Sequence, residues 1–513
     1  MSIVTLRFFI FTGFLLAEYW LCPAKARWVV LLAGGGYFFL ACTAYDPGVC
    51  AVFVLEALLT WLAALGVRRL SGERTKALLT GLTVTALVAV MILYKDLGFF
   101  ISSINGLGAL LGRAPGLQLP QWLAPFGISY YTLILTGYLL DVRWETVEQP
   151  QKNPLKLLLF AGYFPQLTSG PFSRYNDLSP ALLGNVQWDA RSFRFGLQRF
   201  LWGLCKKLIV ADRLAVAVAA LYDGAPPRGV LVPVAALLYI AQLYADFSGC
   251  MDIVIGISQL FGIPLAENFC RPFSAENLSV FWRRWHMTLG FWLKDYLLYP
   301  TLKSGWMGRI RKFCKAHWGK RASRDVPTYI GMFITWFCVG FWHGGSWKYI
   351  FGSGLFFFAM IAGGMLLKPV FRRLTDWLKI DTDAWYWKRF QRLRTACLFS
   401  ASVSFDRYAG FTDGLRAWKS VLTVWRWDLG VLLDGTLLDL GLSGWDIFIC
   451  AAGFAAIWCV STLQERHGSV RELLDGKGPL LSWAATLVLL LAVLLLGRYG
   501  AGYEAAAFIY AGF

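Results

Sequence analysis

The sequence predicts an all-α, polytopic membrane protein, and three observations carry that prediction. Hydrophobic residues make up 57% of the 513-residue chain and charged residues only 16%, where a soluble chain carries about a quarter charged residues. Mean hydropathy is +0.53. Apolar runs of spanning length, roughly 17 to 25 residues, recur from one end to the other and leave no stretch the size of a soluble domain between them. The chain therefore reads as one polytopic domain over 1–513, with N-terminal helices over 1–120, a core over 121–368, and an interfacial segment with final helices over 369–513. The formal net charge of +18 fits cytoplasmic loops, which collect Lys and Arg, and does not call for nucleic acid.

Taken in order, the first run, IVTLRFFIFTGFLLAEYWLC, lacks a basic segment before it and contains Arg7 and Glu18. It reads as a retained helix rather than a cleaved signal. Spans are expected at Ile3–Cys22, Trp28–Ala44, Cys50–Val67, Leu78–Tyr94 and Trp122–Val142. Lys25 and Arg27 separate the first two, the acidic YDPG the next two, and RRLSGERTK, with four basic residues, the third and fourth. That alternation places the N-terminus outside. DVRWETVEQPQKNPLK is then cytoplasmic.

Polar groups interrupt the next two runs: CKKLIVADR within Phe193–Ala220 and YADFSGCMD within Val230–Phe261. Segments of this kind are broken, tilted or packed inside protein. Lys303 to Arg324 carries eight Lys or Arg and no acid, and a second basic region runs from Lys368 to Arg394. The spans Tyr329–Trp342 and Tyr349–Leu367 between them form a hairpin whose far turn is HGGSW, which places His343 deep in, or across, the membrane. FDRYAGFTDGLRAWKSVLTVWRWDLG reads as interfacial helix and loop, followed by spans at Trp445–Leu463 and Leu480–Leu496. Eleven cysteines without a C-x-x-C pair indicate neither a disulfide framework nor zinc.

Of four histidines, His317 and His467 lie in charged stretches and read as solvated surface. His343 ends an aromatic-rich apolar run. Burial leaves such an imidazole neutral and able to accept a proton near neutral pH, and the two glycines after it admit close approach. A core histidine bonded across helices is the competing reading. In ENLSVFWRRWHMTLGFWLKDYLLYP, Asn277 or Ser279 can cap a helix, on which Trp282, His286, Leu289 and Leu293 share one face and Arg284, Thr288 and Asp295 another. Arg283 and Arg284 suit either a phosphate-bearing donor or an interfacial anchor. No H-x-x-x-x-D, G-x-S-x-G, Walker A or H-E-x-x-H pattern occurs, and no metal site is expected.

Five segments then resemble the membrane-bound O-acyltransferase (MBOAT) family, in its bacterial branch of alginate O-acetylation and teichoic acid D-alanylation. They are PFGISYYTLILTGYLLDV from Pro125, YFPQLTSGPFSRYNDL from Tyr163, DFSGCMDIVIGISQLFGIPLAENFCRPF from Asp246, SVFWRRWHMTLGFWLKDYLLYP from Ser279 and VGFWHGGSWKYIFG from Val339. The closing FIYAGF is similar to the alginate-type tail, whereas SVSFDRYAG departs from that branch's aromatic-aromatic-arginine pattern.

The resemblance implies a ring of tilted helices around a tunnel, with His343 the principal catalytic residue and His286 the second. It assigns Trp282, Arg283, Arg284, Asp295, Trp342, Asn268 and Asp246 to substrate binding. No tightly bound cofactor is implied. The co-substrate is an acyl thioester, acetyl-CoA or an acylated carrier protein, and the acyl group, acetyl in the leading reading, moves across the membrane to an extracellular polymer. Membrane lipid and an extracytoplasmic esterase-like protein are the other expected partners. Two alternatives stand: D-alanyl transfer from a carrier protein to teichoic acid, whose branch is shorter, and a transporter or flippase that uses the same cavity without chemistry.

Overall fold

The structure is a computed structural model. It describes residues 2–499 and 508, apart from 113–115, 121–123, 168, 225, 425–434 and 436–439. The start of the expected span at Trp122, the 425–430 part of the interfacial segment and the FIYAGF tail beyond Phe508 lie outside the described residues. Helices account for the regular structure of the rest. Among the described residues six are long and apolar enough to cross a membrane: Pro47–Arg69, Glu73–Lys95, Leu231–Leu260, Lys348–Leu366, Gly444–His467 and Pro479–Leu496. The chain is a multi-pass, all-α membrane protein.

The first four expected spans fall on Leu6–Leu21, Arg27–Cys42, Pro47–Arg69 and Glu73–Lys95. Asp46 caps the third, its Oδ1 accepting from Gly48 N–H at 2.8 Å, with Pro47 at the first helical position. The fifth begins later, at Ile128, after Gly127 turns the chain with φ 70°. A further apolar helix, Leu97–Leu110, follows the fourth and was not expected.

The two polar runs resolve differently from each other. Phe193–Ala220 is interrupted, as Ala190–Leu204, a π-helical turn Cys205–Ala211, and Asp212–Tyr222. Leu231–Leu260 is a single 30-residue helix in spite of its two aspartates, because each finds a cation on the interrupted neighbour. Lys207 Nζ lies 2.7 Å from Asp246 and 2.9 Å from Asp212; Lys206 lies 2.7 Å and Arg199 3.0 Å from Asp252. Charges taken out of water persist only when paired in this way. The two helices also meet backbone to backbone. A Cβ on Gly256 would lie 2.5 Å from the Phe200 nitrogen, so only a hydrogen fits there.

The expected span Tyr329–Trp342 is the end of the second of two helices within Gly305–Trp342, which meet at Gly319, where φ is 83° and the backbone is not helical. Its return partner begins as a π-helical turn, Lys348–Leu355, and continues as Phe356–Leu366. Loops that the charge alternation puts on the cytoplasmic side are tied to one another. Arg27 donates to the Val186 carbonyl at 2.6 Å, Arg143 pairs with Glu73 at 2.7 Å and Arg191 with Asp475 at 2.7 Å. At the opposite ends, Arg213 pairs with Asp446 at 3.0 Å and Gly229 N–H donates to Ser420 at 3.0 Å.

The close crossing makes Gly256 the sensitive position. Gly256→Val is expected to cost about 1–3 kcal/mol by overpacking, read as a lower thermal unfolding midpoint of the detergent-solubilised protein. Gly363→Ala, with open space around the added methyl, is expected to leave the midpoint where it was.

Candidate active site

His343 stands at the C-terminal end of Gly305–Trp342, its N–H still bonded to the Val339 carbonyl at 3.1 Å. Gly344 and Gly345 then turn the chain with φ of 152° and 47°, values that L side chains rarely adopt. At Gly345 a Cβ would also lie 2.7 Å from Asp96 Oδ1. The glycines after the histidine are therefore required by the tight hairpin turn itself.

His286 is held in another way. Its φ of 46° and ψ of 50° put a non-glycine residue in the left-handed region, which costs roughly 1–2 kcal/mol and persists only where the surroundings over-determine it. They do so here. Phe269 and Trp285 form an isolated antiparallel bridge, Cys270 N–H donates to the Arg284 carbonyl at 2.9 Å, and Met287 N–H donates to the Asn268 carbonyl at 3.0 Å. This backbone corrects the expectation of one helix carrying Trp282, His286, Leu289 and Leu293 on a face. Asn277 does cap a helix, its Oδ1 accepting from Val280 at 3.0 Å, but that helix ends at Trp282 and a second starts at Met287. The strained residue between them decides where the imidazole goes, and periodicity does not report it.

Asn268 orients the His286 ring. Its Oδ1 accepts from both Thr288 N–H and Thr288 Oγ1, each at 3.0 Å, and His286 Nδ1 lies 3.1 Å from the amide nitrogen and 3.3 Å from that Oδ1. Thr288 Oγ1 in turn lies 3.0 Å from the Phe172 N–H.

Both imidazoles are buried, His286 2% and His343 8% exposed, and both pack against one aromatic cluster. The Phe172 ring is 6.0 Å from His286 and 6.2 Å from Trp342, and it stacks on Tyr130 at 4.8 Å. Trp342 is 5.1 Å from the His343 ring, and Phe247 closes the His286 side at 4.9 Å.

From Phe172 and Thr288, a cavity of about 90 Å³ runs outward past Trp292 to Asp141, Arg174 and Tyr296. Asp295, beside it, pairs with Arg174, and Tyr296 donates to Asp141 at 2.7 Å. These residues adjoin Arg143, on the side assigned to the cytoplasm.

Of the other expected binding residues, Asn268 and Trp342 reach the histidines, and Asp295 stands beside the cavity, paired with its lining residue Arg174. Asp246 is occupied in the buried pair with Lys207. Trp282 packs among Trp336, Phe357 and Phe399. Arg283 is exposed, and Arg284 turns to Ser274 and Glu465, 2.7 and 2.9 Å away.

Sequence reasoning missed Lys95 and Asp96. Lys95 donates to the Trp342 carbonyl and stands 5.0 Å over the Trp342 ring, next to His343. The Asp96 carboxylate is 2% exposed, lies against Gly345 and has no hydrogen-bond partner among the described residues. A Lys-Asp pair closing an apolar run reads as an interfacial anchor. Only the packing of Glu73–Lys95 against the hairpin turn brings it to the site.

The profile of the membrane-bound O-acyltransferase (MBOAT) family matches residues 58–310. Over 376 residues the sequence is 32% identical to the probable alginate O-acetylase AlgI of Pseudomonas syringae pv. tomato, spanning 72% of this chain and 68% of the relative. The peptidoglycan O-acetyltransferase of Helicobacter pylori is 28% identical over 349 residues, 63% of this chain and 61% of that protein. The teichoic acid D-alanyltransferase of Bacillus subtilis is 28% identical over 230 residues, 44% and 55%.

Two outcomes test the geometry. His286→Gly is expected to unfold at a higher temperature than His286→Ala, since glycine accepts the left-handed backbone without the penalty of about 1–2 kcal/mol. Asn268→Ala, which frees the His286 ring to turn, is expected to slow acyl transfer about 10²-fold at matched protein level.

Proposed function

The chain belongs to the membrane-bound O-acyltransferase family and is an acyltransferase, and from that premise we propose that it moves acetyl from a cytosolic thioester to a hydroxyl of an extracellular polysaccharide. The observation that carries the reading is the aromatic cluster: two buried histidines pack against it, and a cavity on the side of the basic loops reaches its Phe172. Acetyl is favoured over D-alanyl because the alignments with the alginate and peptidoglycan relatives extend over 376 and 349 residues, against 230 with the teichoic acid relative.

In this reading the acceptor hydroxyl attacks the thioester carbonyl while His343 takes its proton, the role of a general base. A C–O bond forms and the carbonyl oxygen becomes an oxyanion. His286, as the tautomer with its proton on Nε2 that this step calls for, donates to that oxygen. Collapse re-forms the carbonyl, breaks the C–S bond and passes the proton from His343 to the departing sulfur, so the products are an ester and a thiol. Lys95, held beside His343 by the Trp342 carbonyl, adds positive potential where negative charge develops. Coenzyme A or a carrier's phosphopantetheine fits the donor, and an extracytoplasmic esterase-like partner fits onward delivery of the acetyl group.

Membranes given radiolabelled acetyl-CoA test the proposal. His343→Ala is expected to lower label transfer to extracellular polymer by about 10²–10⁴ at matched protein level, and His286→Gln by about 10²–10³. Equal labelling in His343→Ala would overturn its role as base. Label delivered only from a D-alanyl carrier would replace acetyl as the group moved.

A further inference from the structure

Between the spans Leu231–Leu260 and Gly444–His467 lies a second cavity, of about 200 Å³, walled by Leu237, Ile240, Tyr244, Phe454, Ile457 and Trp458. One wall is supplied by a helix outside the family match, which ends at residue 310. The lining is apolar along both spans and becomes polar at one end, where Arg271 and Ser274 complete it. There Arg271 pairs with Glu465 and lies 5.1 Å over the Trp458 ring, while Arg284 donates to Glu465 at 2.9 Å and to Ser274 at 2.7 Å.

Charge at this mouth is unbalanced. Two guanidiniums share one carboxylate, and each has about five N–H donors in a fork that suits phosphate oxygens. More positive charge stands close by: Arg394 donates to the Glu276 carbonyl at 2.9 Å and Arg392 approaches the Glu276 carboxylate at 3.7 Å. This end of the two spans belongs with the basic loops. The cytoplasmic leaflet is where such loops lie and where anionic lipid collects.

What occupies such a groove is limited by its shape and charge. It is too small for one turn of a helix roughly 10 Å across, its long walls are hydrocarbon-like, and its polar end calls for an anion. We propose that the groove binds an anionic phospholipid of the cytoplasmic leaflet, one acyl chain lying between the two spans and the phosphate resting on Arg271 and Arg284. The lipid then fills the seam between the core and the Gly444–His467 helix. This site is separate from the candidate active site and independent of which acyl group the protein moves.

Native mass spectrometry of the full chain in detergent, with phosphatidylglycerol and phosphatidylethanolamine added in equal amounts, tests this. Wild type is expected to retain one phosphatidylglycerol with about tenfold preference, in line with two arginines near a phosphate. Arg271→Gln with Arg284→Gln is expected to abolish the preference. Ile457→Trp, which fills the groove and leaves both arginines in place, is expected to abolish retention while the thermal midpoint shows that the protein is folded. Equal retention of the two lipids by wild type, or no retention, overturns the headgroup assignment whether or not the double variant folds. Undiminished retention in Ile457→Trp overturns the groove.

Discussion

A bilayer core has no water to offer a charge, so Asp246 and Asp252 on Leu231–Leu260 depend on cations that the protein supplies. Those cations come from the run that the π-helical turn Cys205–Ala211 interrupts, with Lys206 and Lys207 pointing at the two carboxylates. The pairing keeps Leu231–Leu260 continuous and buried through most of its length. From that helix Phe247 reaches the His286 ring and Tyr244 reaches Trp285. Desolvation makes such pairs weak contributors to net stability, but removing one partner leaves an uncompensated charge, which is far costlier. Their role here is to fix one helix against another, and the site is built on the result.

The two histidines are positioned by unlike means, and the difference matters for chemistry. His343 is presented by the end of a helix and a turn that glycine alone can make. His286 is held in a strained backbone by a bridge, an asparagine and a threonine, and that same asparagine holds the ring at Nδ1. In the proposed reaction, a base at a helix end and a donor held in a fixed ring orientation take complementary roles in attack on a thioester carbonyl. Aromatic walls around both keep bulk water away from the reacting groups and preserve the strength of these interactions.

Both spans that border the second cavity also serve the site or its frame. Tyr244 lines that cavity and packs on Trp285, the residue before His286. The C-terminal helices, which lie outside the matched family region, are thus joined to the core by packing and by Glu465 between two arginines. Arg284, which the sequence offered as a donor-phosphate ligand, faces that joint rather than the two histidines.

Hydropathy and charge alternation by themselves determined that the chain is helical and multi-pass, and roughly where most spans lie, because transfer of apolar runs into a bilayer depends on composition over a window. The motifs also singled out His286 and His343, each a titratable ring in an apolar setting, and the resemblance added Asn268 and Trp342. Packing decided the rest. Lys95 and Asp96 reach His343 across about 250 residues of chain, Asp246 and Trp282 are drawn into the frame, and Arg284 turns to Glu465. The left-handed backbone at His286 follows from contacts with residues 268–270, and helical periodicity carries no trace of it. Partner choice for a buried polar group is a matter of three-dimensional proximity, which local pattern does not encode.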